Sequence, residues 1–158
     1  MNKIKILFVC HGNICRSPMA EAVMKKIAED AGKSDMFEIS SAAVSSEAAG
    51  CSVHPLANKM LKKHGISSFS HIACQMSTDD YSHYDRILVM DESNMRRVMT
   101  MTGNDPSGKI SMLNEIEIDD PWYTNDFETA YEQIESGCKA LFDNLMKELE
   151  LKDASEGI

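Results

Sequence analysis

An apolar run, Ile4-Lys5-Ile6-Leu7-Phe8-Val9, leads without interruption into Cys10-His11-Gly12-Asn13-Ile14-Cys15-Arg16-Ser17 and then Pro18. The run is short and almost continuously apolar, which suits a strand buried on both faces. Ser17-Pro18 predicts a helix start, with serine as N-cap and proline at the first helical position. Apolar residues then recur at Ala20, Val23, Met24, Ile27, Ala28 and Ala31, a helical spacing, and Gly32 stops the helix. A tight loop therefore joins a strand end to a helix start. Its amides, with those of the first helical turn, have no acceptors inside the helix. They make a concave donor site for an oxyanion, assisted by the positive end of the helix dipole. Gly12 is expected to allow the tight bend, and Asn13 to tolerate unusual backbone angles.

Two side chains give this cradle a chemistry. Cys10 lies where strand becomes loop, and Arg16 at the mouth of the helix. A helix N-terminus and an arginine both favour the thiolate, the nucleophilic form of cysteine. An arginine fork holds two oxygens of a tetrahedral phosphate at once. Cysteine, five residues, then arginine is a weak pattern by itself. The buried strand before it, the Ser-Pro start after it and the glycine within it supply the specificity.

Downstream, strands and helices alternate. Strands are predicted at 37–41, 86–90 and 109–113, and helices at 55–64, 77–84, 91–102 and from Phe127 through Leu149. Residues 42–53 are small and polar, a loop long enough to border a site. The stretch 70–75 is ambiguous, 114–125 is an acidic loop, and 152–158 is expected to fray. This pattern predicts one α/β domain over 1–158, with a parallel sheet covered on both faces. Ligands of such sheets bind beyond the carboxyl ends of the strands. Cys10, Ser41, Asp91 and the loop carrying Asp120 all lie just past predicted strands.

A net charge of −9 argues against nucleic acid as the main partner. No run approaches membrane-spanning length, and the short apolar start is not a signal peptide, so a cytoplasmic protein is expected. The five cysteines show no zinc or Cys-x-x-Cys spacing and are expected as free thiols.

The stretch Val9 to Glu21 resembles the phosphate-binding loop of the low-molecular-weight protein tyrosine phosphatases. Ser40-Ser41-Ala42, Lys63-His64-Gly65-Ile66, Ser70-His71, Met90-Asp91-Glu92-Ser93-Asn94 and Asp120-Pro121-Trp122-Tyr123 resemble later segments of that family in order. The resemblance implies a flavodoxin-like, doubly wound four-stranded sheet and a phosphotyrosine-bearing protein as substrate. It implies Cys10 as nucleophile and Arg16 as phosphate clamp, with His11, Gly12, Asn13, Ile14, Cys15 and Ser17 completing the loop. No cofactor or metal is expected, since Arg16 and the loop amides supply the positive field.

A phosphate ester also needs an acid for its leaving oxygen. Asp119 and Asp120 read equally as solvated loop charges; the resemblance picks Asp120, stiffened by Pro121. It makes Trp122 and Tyr123 one wall of a slot for a phenyl ring. It places Asn13, Ser17, Ser41 and His71 in a network that holds the loop, with Asp91 orienting His71. Cys15 is expected to close a reversible disulfide with Cys10 on oxidation, while Cys51, Cys74 and Cys138 look incidental.

His11, Glu47 and Cys74 depart from the family's usual residues. Family members that act on phosphoarginine carry a threonine where this chain has Ile14. Three alternatives accompany the phosphatase reading: a phosphoarginine phosphatase, a thioredoxin-coupled arsenate reductase, and a non-catalytic phosphotyrosine-binding module. The reductase needs downstream cysteines near Met90-Asp91, where there are none. Oligomeric state is not legible.

Overall fold

The structure, a computed structural model, describes residues 2–67 and 70–156. Four parallel strands, β1 Ile4–Cys10, β2 Phe37–Ala43, β3 Arg86–Val89 and β4 Ile110–Met112, pair in the order β2-β1-β3-β4. Helices α1 Arg16–Asp30, α2 Pro55–Lys63, α3 Thr78–His83, α4 Glu92–Thr102, α5 Pro121–Thr124 and α6 Phe127–Glu156 connect and cover them. This is the doubly wound α/β sheet expected. The chain leaves β1 toward β2 on one side and later crosses to β3 on the other. The strand order therefore reverses at β1, and a crevice opens at its carboxyl end. Cys10 is the last residue of that strand.

β1 is central because its side chains have an apolar destination on either face. Ile6, Phe8 and Cys10 join the cluster built with α1 and α6, through Met19, Met24, Tyr131 and Ile134. Leu7 and Val9 join the opposite cluster with Val44, Met76, Tyr84 and Val98. Fully burying each such aliphatic or aromatic side chain contributes about 1.5–3 kcal/mol. A one-residue register slip would exchange the two sets and turn Cys10 away from its loop. Gly137 lets α6 approach the end of β4, since a Cβ there would stand 2.8 Å from Leu113 Cγ and 2.9 Å from Leu113 O.

Two expectations need correction. The first helix begins at Arg16 with Cys15 as N-cap, and Cys15 makes no side-chain capping bond. Ser17 is not the cap, because its hydroxyl is engaged at Cys10 and Asn13. Asn13 takes the unusual backbone angle expected of it, in the left-handed region (φ 60°). The final helix continues to Glu156, past the expected fraying point at 152, because residues 147–156 are mostly strong helix formers without Gly or Pro. Residues 157–158 lie outside the described residues.

At the far end of the sheet, Asp105 ties the α4–β4 turn. It accepts from the Tyr81 hydroxyl at 2.6 Å and from the amides of Lys109 at 2.8 Å and Ile110 at 3.0 Å. Burial alone would raise this carboxyl. The bonds from Tyr81, Ile110, Lys109 and Gly108 outweigh burial and hold it below the ordinary value. A carboxyl depressed in the fold adds stability above its unfolded value, about 3.9, and that stability is lost as pH falls through the folded value. Asp105→Asn is expected to lower the urea midpoint at pH 7, with the gap to wild type narrowing below about pH 4. A gap independent of pH would show that the carboxylate charge is not what ties the turn.

Candidate active site

The site begins with the Cys10 sulfur, 2 % exposed beneath the start of α1. The amides of Asn13 and Ser17 donate to Sγ at 3.3 and 3.4 Å, and Ser17 Oγ lies 3.0 Å from it. These donors converge on the sulfur from one side, at the positive end of the helix dipole. The loop is held from outside as well: Val44 donates to Cys10 O, Ser45 to His11 O and His54 to Ile14 O.

Asn13 is the hub of the loop. It is fully buried, and its Nδ2 donates to Ser17 Oγ at 2.8 Å and to Ser41 Oγ at 3.0 Å. Its Oδ1 accepts from the Cys74 amide at 3.2 Å and lies 2.7 Å from His71 Nε2, which assigns the ring proton to Nε2. A non-glycine residue at positive φ is costly, and four side-chain bonds fix Asn13 there. Ser41 donates to Glu21 Oε1 at 2.6 Å, and His71 Nδ1 lies 3.7 Å from the same oxygen. Burial, with Lys25 assisting, outweighs Glu21 and lowers the His71 pKa, keeping the ring neutral at pH 7.

Arg16 is 1 % exposed. Its Nη1 donates to Asp91 Oδ2 at 2.7 Å and to Ile118 O at 2.8 Å, and its Nη2 lies 3.4 Å from Asp120 Oδ2. Burial works against the guanidinium charge. The negative charge at Cys10, the Asp91 hydrogen bond and the Asp120 and Asp91 charges outweigh it, so the pKa is raised and the cation secured. Nε is buried without a partner among the described residues. Asp91, which was expected to orient His71, thus anchors Arg16. It sits at the β3–α4 corner as N-cap, taking the Asn94 amide on Oδ1 at 2.8 Å. Glu21 faces His71 instead.

Asp120 caps α5, accepting the Trp122 amide at 3.1 Å, and Pro121 after it is buried. Asp119 is exposed. A slot of about 310 Å³ is lined by Cys10, Ile14 and Cys15 at its base, His11, Glu47, Ala48 and Cys51 on one side, and Asp120, Trp122 and Tyr123. His11 Nε2 and Glu47 Oε2 meet at 3.2 Å. His54 packs edge-on to Trp122 at 5.9 Å. A larger groove of about 830 Å³ beside β4 and α6 holds none of these groups, and the converging chemistry identifies the smaller one as the site. Burial, then the charges of Cys10 and Asp120, push the Cys15 thiol up to about 12 against the pull of Arg16.

Thus Cys10, Arg16, Asp120 and the loop residues come together with the network of Asn13, Ser17, Ser41 and His71. Sequence reasoning missed Glu21, His54 and Asn94. Asn94 is 1 % exposed and takes the Met90 amide on Oδ1 at 3.2 Å. Met90 O in turn receives Ile118 N, and Ile118 O holds Arg16. Glu21 carried a signal: a carboxylate on the buried face of an otherwise apolar helical stripe needs partners.

A family model described as low molecular weight phosphotyrosine protein phosphatase matches residues 5–151. The low molecular weight phosphotyrosine protein phosphatase of Gallus gallus is 42 % identical over 148 residues, covering 87 % of this chain and 93 % of that one. The crystal structure of YfkJ from Bacillus subtilis superimposes with a TM-score of 0.90 at 33 % identity, over 94 % of this chain and 98 % of that one. DARP, a drosophila arginine phosphatase, superimposes with a TM-score of 0.82 at 30 % identity, over 89 % of this chain and 97 % of that one.

Proposed function

We propose a two-step phosphoryl transfer for this chain, which belongs to the low molecular weight phosphotyrosine protein phosphatase family and is a protein tyrosine phosphatase. In the first step the Cys10 thiolate attacks phosphorus, and a sulfur–phosphorus bond forms as the phosphorus–oxygen bond to tyrosine breaks. Asp120 gives its proton to the departing phenolic oxygen. In the second step Asp120, now a base, takes a proton from water as that water displaces sulfur. Arg16 and the loop amides hold the equatorial oxygens throughout. Nη1 is committed to Asp91 and Ile118, so Nε and Nη2 are the donors turned to phosphate. The observation that carries this reading is a buried sulfur under a helix N-terminus that lines one slot with Asp120, while the buried Arg16 lies 3.4 Å from that carboxylate.

Cys15 supports a protective step. An oxidant converts Cys10 to a sulfenic acid; the Cys15 thiol then displaces water to give a disulfide that thiols reduce. A thiol nucleophile is kept active by a reducing compartment, which favours the cytoplasm. No helix among the described residues is long and apolar enough to cross a membrane.

The slot favours a phenyl ring over a guanidinium. Ile14 offers apolar bulk at its base and Trp122 and Tyr123 offer aromatic surface, whereas a guanidinium would lose hydration there. Matched peptides bearing phosphotyrosine, phosphoserine, phosphothreonine and phosphoarginine test this through kcat/KM. Phosphotyrosine is expected to lead by about tenfold or more, the value of roughly 1.4 kcal/mol in apolar contact. Ile14→Thr is expected to shift the ratio toward phosphoarginine. Equal or better wild-type activity on phosphoarginine would falsify the assignment.

A further inference from the structure

We propose that Arg97, with Arg96 beside it, forms a subsite for an acidic side chain of the substrate, about three residues from the phosphotyrosine. The inference rests on the phosphatase reading and concerns a groove on the flank of the slot, outside the catalytic loop.

The groove follows from how α4 is seated. Val98 is fully buried against Val9 and Val44, so its neighbours Arg96 and Arg97 are carried to the exposed side. With Thr100 and Met101 one turn on, and Val44 and Gln75 opposite, they enclose about 340 Å³. The wall at Val44 continues the active site. Val44 follows the β2 residue paired with Cys10, and its amide donates to Cys10 O. Its carbonyl accepts from Gln75 Nε2 at 3.1 Å and from Arg97 Nη2 at 3.4 Å.

The charge of the groove is unusual for this chain, whose net charge is −9. Arg16 is held by Asp91 and Asp120, and Arg86 by Glu148 at 2.6 Å. Arg96 meets Glu92 only at 3.9 Å, with both side chains about three-quarters exposed. Arg97 meets no carboxylate among the described residues. A guanidinium steadied through one nitrogen by a backbone carbonyl keeps the rest of its fork for a carboxylate, which it can bind bidentately.

The reach is suitable for a peptide. Arg97 follows Asp91 by six residues of helix, about 9 Å at 1.5 Å each. An extended peptide anchored by its phosphotyrosine advances ~3.3 Å per residue. On the proposed path it runs along the 44–47 loop, which lines the slot at Glu47 and the groove at Val44, and brings about its third residue to the groove.

The test compares kcat/KM for phosphotyrosine peptides with Glu, Ala or Lys three positions to either side, together with a small phenyl phosphate. Wild type is expected to favour the Glu peptide on one side. Arg97→Ala is expected to cut that peptide about three- to tenfold, the worth of one solvent-screened hydrogen bond at an exposed arginine, and to leave Ala and Lys peptides and phenyl phosphate unchanged. Arg97→Lys should retain part of the preference, and 0.5 M salt should erase most of it. No Glu preference in wild type, or an equal loss on every substrate in Arg97→Ala, overturns the subsite. If wild type does not hydrolyse phenyl phosphate, the phosphatase mechanism itself has failed.

Discussion

Cys10→Ser is expected to reduce turnover of an aryl phosphate by roughly 10³-fold or more, because a hydroxyl at this position stays protonated while a thiol ionises. The fold should survive. Serine is smaller than cysteine by less than one methylene, and the amides of Asn13 and Ser17 that meet Sγ can still donate to an oxygen. Phosphate should still protect the variant against thermal unfolding, since Arg16 and the loop amides are untouched. The measurement is kcat beside circular dichroism and a phosphate titration of Tm. Residual turnover above a few per cent in a folded variant removes Cys10 from the nucleophile's role. The variant is expected to separate chemistry from binding, because the proposed anchors of the phosphate are Arg16 and the loop amides rather than the sulfur.

Asp120→Asn should give the second largest loss, and its size should depend on the substrate. General acid catalysis contributes ~10²–10⁴-fold, and a leaving group that departs readily as an anion needs little of it. Asparagine can still accept the Trp122 amide and cap α5, so the loop is expected to keep its shape. It removes the charge facing Arg16 Nη2 at 3.4 Å and the titratable proton. Across phenyl phosphates of rising leaving-group pKa, the variant's rate should fall steeply where wild type stays nearly level. An equal loss on all of them, or a larger loss for exposed Asp119→Asn, would show that the proton comes from elsewhere.

The sheet was legible in the sequence because its strands are short apolar runs closed by chemistry-bearing residues, Cys10 and Asp91 among them. Burial on both faces leaves such runs few alternatives. The Cys10–Ser17 loop was legible because cysteine, arginine and a helix start fall within one local segment. Its supports were less so. Ser17 has the composition of a cap, and only the folded arrangement gives its hydroxyl better partners in Cys10 and Asn13. Asp91 was expected at His71, but Arg16 offers a charged fork 2.7 Å away, and a buried cation must be paired. Glu21 stands on the apolar face of its helix, which signals that it needs partners without naming them, and Asn94 reads as an ordinary polar residue of a helix's first turn. Their partners, Ser41 and Met90, belong to other elements. Long-range polar pairing leaves no periodic trace, so a one-dimensional reading finds the reacting groups more readily than the groups that aim them.

The anchors of Arg16 also bear on how the enzyme comes into being. Its Nη1 acceptors lie 75 and 102 residues further along the chain, and α6, which packs against α1, comes later still. On a ribosome Cys10 and its loop emerge first and wait. Contacts of such sequence separation form slowly, because the intervening loop must be closed before they repay its entropy. A nascent chain short of Ile118 therefore carries a cysteine and an arginine without the full set of contacts that seats Arg16, and on the proposed mechanism such partly made copies are expected to be inactive. Catalytic competence matures with the last third of the polypeptide, which makes the appearance of activity a late marker of complete folding.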